Sequence, residues 1–124
     1  MPKILVAFGI RDLARTVQAF LTRNGYDSTI VATTTAEARR ELEGGSIELL
    51  ICDTHLGNPD DPHDESGVLV AEGARRMGIP VILTSPSFLV RDPKEYLAAN
   101  CATTTWLMPS SFDNLIQLIK NIIG

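Results

Sequence analysis

Asp53 is the residue around which chemistry can be built. It follows Ile47-Glu48-Leu49-Leu50-Ile51-Cys52, in which five of six residues are apolar, and it precedes Thr54-His55-Leu56. An apolar run this short and without alternation reads as a strand buried on both faces, as in a parallel sheet. A carboxylate ending such a strand stands on the edge where open α/β sheets bind ligands. The same Asp can instead simply cap the loop that follows. Downstream, His55, His63, Asp60, Asp61, Asp64 and Glu65 share a long polar stretch with Pro59 and Pro62. Carboxylates and imidazoles in one loop form either a divalent-metal set or a solvated acidic surface. Zinc is not expected there, because neither Cys52 nor Cys101 falls near the loop at ligand spacing.

The elements that must position Asp53 alternate regularly. Lys3 to Phe8 reads as a first strand, and helical spacing of Leu13, Val17, Phe20 and Leu21 predicts a helix to Arg23, closed by Asn24-Gly25. Tyr26 to Ala32 is a second strand. Thr33-Thr34-Thr35 with Glu37 gives a capping-box start for a helix over 36–42, stopped at Gly44-Gly45. After the central strand and the loop 57–66 come a helix over 68–77, a strand over 79–84 and a helix opened by Asp92-Pro93 that runs to about Ala99. A fifth strand over 103–108 is broken at Pro109. The last helix, capped by Ser110 or Ser111, carries Leu115, Ile116, Leu118, Ile119, Ile122 and Ile123. Strand and helix alternating in this way predict a parallel sheet covered on both faces, joined by right-handed crossovers. A single domain over 1–124 is expected.

The 124 residues suffice to bury a core without disulfides or metal. A net charge of −4, with no basic run, argues against nucleic-acid binding. The pairs Arg39-Arg40 and Arg75-Arg76 read as solvated helix faces. No apolar run reaches membrane-spanning length, and the strand pattern starts too early for a targeting segment. Two cysteines without a secretory signal read as reduced thiols. A soluble, cytoplasmic protein is the expectation.

Taken in order, several short motifs resemble the receiver domain of two-component response regulators. They are Lys3-Ile4-Leu5-Val6, Asn24-Gly25-Tyr26, Leu49-Leu50-Ile51-Cys52-Asp53, Ile79-Pro80-Val81-Ile82 with Thr84-Ser85, and Trp106-Leu107-Met108-Pro109. The resemblance implies a flavodoxin-like (βα)5 three-layer sandwich with parallel strand order 2-1-3-4-5. It also implies phosphoryl transfer to Asp53 from a histidine kinase or phosphotransfer protein, in a phosphorelay rather than in an enzyme. Such a site uses an acidic pair for Mg2+, a Ser or Thr, and a Lys, because phosphoryl transfer rests on positioning and on neutralising charge. The acidic pair aligns here with Phe8 and Gly9, and the Lys with Met108. Ser85, or Thr84 one residue off, fills the hydroxyl position, and Thr105 stands at the switch position beside Trp106. Asp53 with the backbone carbonyl of His55 is a thin ligand set for Mg2+, which prefers octahedral oxygen coordination. Weak Mg2+ binding at most is therefore expected, in a degenerate site.

Three other readings compete. A phosphorylation-independent pseudo-receiver would act as an interaction or dimerisation module, with Trp106, Ile119, Ile122 and Ile123 offering a homodimer surface on the last helix and fifth strand; the same residues also fit an inward stripe. Asp53-Thr54-His55 begins the Asp-x-His-x-x-Gly motif of cobalamin-binding domains, but Gly57 arrives one residue early and after the third strand. Flavin binding would want hydroxyl residues where Gly9-Ile10-Arg11-Asp12 stands.

Overall fold

The computed structural model describes residues 2–85, 95, 99–107 and 112–124, with residues 85 and 107 in backbone only. Its elements run β1 (Ile4–Ala7), α1 (Arg11–Arg23), β2 (Thr29–Ala32), α2 (Thr35–Glu43), β3 (Leu49–Asp53), α3 (Ser66–Arg76), β4 (Val81–Ser85), β5 (Thr104–Leu107) and α4 (Phe112–Ile123). The expected helix from Asp92 to Ala99 lies almost wholly outside the described residues, as do Met108, Pro109, Ser110 and Ser111.

Apolar residues without alternation form strands here because both faces of the sheet are covered. Ile4, Leu5, Val6 and Ala7 are all fully buried, as are Leu49, Leu50, Ile51 and Cys52. The five strands are parallel, in the order β2-β1-β3-β4-β5, the order that the receiver resemblance implied. Ile4, Val6, Leu49, Ile51 and Ile82 face α1 and α4 through Ala14, Val17, Leu21, Leu115, Ile116 and Ile119. Leu5, Leu50, Cys52, Val81 and Leu83 face α2 and α3 through Ala38, Leu42, Val68, Val70, Ala71 and Ala74. Each fully buried Leu or Ile contributes about 1.5–3 kcal/mol, so β1 and β3 form the stable centre to which Asp53 is attached.

Local signals set the helix ends. Thr34 Oγ1 accepts the Glu37 amide at 3.1 Å, while Glu37 Oε1 accepts the Thr33 amide at 2.9 Å. This is the expected reciprocal cap, and the Thr33 hydrogen bonds hold the Glu37 carboxyl below its ordinary pKa. Gly25, Gly45 and Gly78 take positive φ just past α1, α2 and α3, where a β-carbon would be strained. Strand β2 begins at Thr29 rather than at Tyr26, because the Thr29 hydroxyl turns back to the Tyr26 carbonyl at 2.8 Å. Helix α3 begins at Ser66, two residues earlier than the apolar pattern suggested. No described helix is long and apolar enough to cross a membrane.

Trp106 is only 3% exposed and Ile119 fully buried. Phe112 packs on Trp106 with ring centroids 5.7 Å apart, and on Phe20 at 4.8 Å. These two side chains therefore belong to the core and offer nothing to a second copy. Ile122 and Ile123 are partly buried against the same cluster.

Candidate functional site

Asp53 is the last residue of β3 and is 2% exposed. Across the sheet it pairs with Thr84 of β4, and Thr84 pairs with Trp106 of β5. On the other side Ala7 pairs with Cys52, so the next residue, Phe8, comes level with Asp53. Phe8 continues the face of Ile4 and Val6 and is fully buried. Asp53 thus stands at the carboxyl edge of the sheet, level with Phe8. Of the other two residues expected beside it, Ser85 follows Thr84 in β4 and Met108 lies outside the described residues.

The carboxylate is oriented by its own loop: Asp53 Oδ1 accepts the His55 amide at 2.9 Å. Burial pushes the Asp53 carboxyl above the usual carboxylate range, and the negative charge of Asp64 pushes the same way. The His55 amide and the nearby His55 ring pull it back without reversing the shift. Cys52, facing the other side of the sheet, is held as a neutral thiol by burial and by the Asp53 charge.

Thr84 is fully buried, and its hydroxyl donates to the Trp106 carbonyl at 2.5 Å. That donor is already used within the sheet, so Thr84 serves the site by holding β5 in place. Ser85 closes β4 opposite Leu107; its side chain lies outside the description. Thr105 pairs with Leu83 and is half-buried, one residue out of phase with the Asp53-Thr84-Trp106 row. Met108, the aligned Lys position, lies outside the described residues. Trp106 Nε1 is buried with no hydrogen-bond partner among the described residues.

Gly9 explains how the edge is closed. A β-carbon there would lie 2.5 Å from the Leu56 carbonyl oxygen and 2.5 Å from Pro59 Cγ. The segment after Asp53 therefore packs into the space that a side chain at position 9 would need. Leu56 itself is 1% exposed. At the far end, Gly67 donates its amide to the Thr54 carbonyl at 3.0 Å, and a β-carbon on Gly67 would overlap the Asp53 carbonyl oxygen.

The acidic loop is ordered by its own polar groups. Asp64 Oδ2 accepts the Ser66 hydroxyl at 2.7 Å and the Asn58 amide at 3.2 Å. Ser66 Oγ in turn accepts the Gly57 amide at 2.6 Å. Asn58 and Asp61 each accept the amide two residues on, the Asx turns typical of such loops. His55 is 9% exposed, and its Nδ1 lies 2.7 Å from the Asp64 carbonyl oxygen. A carbonyl only accepts, so Nδ1 carries the proton. Sequence reasoning missed Pro59, Ser66 and Gly67 as parts of this site; the flanking glycines and the Asn and Asp turn residues were the available signal.

These residues do not fit Mg2+. The Phe8 side chain offers no oxygen, the side-chain space at Gly9 is filled, and the Asp64 carboxylate is turned to Ser66 and Asn58. Among the described residues no three His, Cys, Asp or Glu side chains converge on a possible metal position. An open cavity of about 610 Å3 lies at the opposite edge of the sheet, between Leu42, Ile47, Met77 and Pro80, away from Asp53.

No family model matches the sequence, and no curated protein matches it either. Solved structures do. A CheY-like response regulator receiver domain protein from Methanospirillum hungatei superposes with a TM-score of 0.80 at 19% identity, over 98% of this chain and 92% of that one. The receiver domain of the Francisella response regulator 1452 gives 0.79 at 24% identity, over 98% and 96% of the two chains. The response regulator protein TrrA from Thermotoga maritima, solved in complex with Mg2+ and BeF, gives 0.80 at 22% identity, over 99% and 100%.

Proposed function

We propose that the chain, built on the receiver fold, is a pseudo-receiver: a signalling module of the two-component class that works through protein contact, with Asp53 kept as a closed carboxyl. The observation that carries this reading is the filled space at Gly9, beside a Phe8 that supplies a wall instead of a ligand. A receiver that accepts a phosphoryl group through a divalent cation needs carboxylates and room at those two positions. The partners that fit are a histidine kinase, a phosphotransfer protein or an output protein, met in the cytoplasm, with residues 1–124 acting as one unit and without enzymatic turnover.

The phosphoacceptor reading keeps one observation on its side. Asp53 ends β3 at the carboxyl edge, and its Oδ1 is held by the His55 amide, which orients the group. Incubation with a small acyl-phosphate donor, with and without Mg2+, followed by intact mass, separates the two. The proposal expects the unaltered protein and Asp53→Asn to show the same, negligible phosphoryl increment. Rapid, Mg2+-dependent labelling that disappears in Asp53→Asn would overturn it.

A further inference from the structure

We infer that the segment from Leu56 to Ser66 is a latched strap over Asp53, with Asp64 as the latch, and that Asp53 becomes reachable only when the strap lifts. The inference rests on the reading of Asp53 as a closed carboxyl and adds the device that closes it.

The strap has a seat, two anchors and a latch. The seat is Gly9, where Pro59 and the Leu56 carbonyl occupy the side-chain space. The anchors are both on the strand end that carries Asp53: the His55 amide on Asp53 Oδ1, and the Gly67 amide on the Thr54 carbonyl. The latch is Asp64, which joins three parts of the segment at once. Its carboxylate takes Ser66 and Asn58, Ser66 takes Gly57, and its carbonyl takes the His55 ring. Hydrogen bonds to a charged group are stronger than neutral ones, so the carboxylate dominates the closure.

The composition of the strap suits a part that opens. Between Gly57 and Glu65 the residues are exposed or half-buried, and the side-chain hydrogen bonds named above run within residues 55–66. Such a segment opens locally at far lower cost than the all-apolar strands beneath it. Lifting it would expose Asp53 and the space at Gly9 together, while β1 and β3 stay intact.

The test uses a water-soluble carbodiimide with a small amine, which labels accessible carboxyls, followed by peptide mapping of Asp53 and Asp60. In the unaltered chain Asp53 should react much more slowly than exposed Asp60. Asp64→Ala should speed Asp53 labelling by roughly tenfold, the size expected from losing a hydrogen bond to a charged group, and Pro59→Gly, which empties the seat at Gly9, should speed it in the same direction, with Asp60 unchanged. Equal Asp53 rates in the unaltered chain and in folded variants would overturn the latch while leaving the closed carboxyl standing. Asp53 reacting as fast as Asp60 in the unaltered chain would overturn the closed carboxyl itself. Should the variants fail to fold, hydrogen exchange of the unaltered chain decides. Gly57 and Asn58 amides should exchange well before those of Leu50 and Ile51, and exchange only together with them would overturn the strap.

Discussion

Pro59 stands where a side chain on residue 9 would have to go: a β-carbon on Gly9 would meet Pro59 Cγ at 2.5 Å. The receiver resemblance aligns residue 9 with a carboxylate; here Gly9 is a seat for the loop that follows Asp53.

Gly9→Asp should therefore destabilise the protein instead of restoring a metal site. The new side chain must displace Pro59 or the Leu56 backbone, an overpacking that costs about 1–3 kcal/mol. Chemical denaturation of the variant should show a lower midpoint at unchanged slope. A variant as stable as the parent would mean that the loop gives way freely.

Asp53 sets the direction of a pH dependence. Its folded pKa is raised, chiefly by burial, whereas in the unfolded chain it should titrate near about 3.9. The folded state then binds the proton more tightly. The associated stability is fully present below the unfolded pKa and is lost as pH rises through the folded value. Asp53→Asn keeps an acceptor for the His55 amide and removes the buried charge. Its gain in stability over the parent should be larger near pH 7 than near pH 4, by about 1.4 kcal/mol for each unit of the shift. Denaturant midpoints at the two pH values check this, and a gain that is larger at the acidic end would contradict it.

How much of this could be read from the residues depends on the kind of signal. Ile4-Leu5-Val6-Ala7 and Leu49-Leu50-Ile51-Cys52 announce two-sided burial by lacking any polar residue, and Thr34 with Glu37 marks a helix start through a fixed spacing. Strand order was implied by the receiver resemblance alone. The strap left no such trace, because Asn58, Asp61, Asp64 and Ser66 are held by side-chain to backbone bonds that have no period. The contact of Pro59 with Gly9 joins positions far apart in sequence. Trp106 and Ile119 could be read as core or as a dimer surface, since only packing between elements, such as Phe112 of α4 on Trp106 of β5 and on Phe20 of α1, decides which side they face.

The central claim is that Asp53 and its surroundings do not take a divalent cation with a phosphoryl group. Titration of the 15N-labelled protein with Mg2+ and beryllofluoride, a mimic of the bound phosphoryl group, tests it most directly. The closed site predicts no saturable shifts at the amides of Phe8, Gly9, Asp53 and His55 beyond those caused by salt alone. Saturable shifts centred on these four residues and spreading to Thr84 and α4 would contradict it, and would show a working phosphoacceptor site beneath a strap that opens readily.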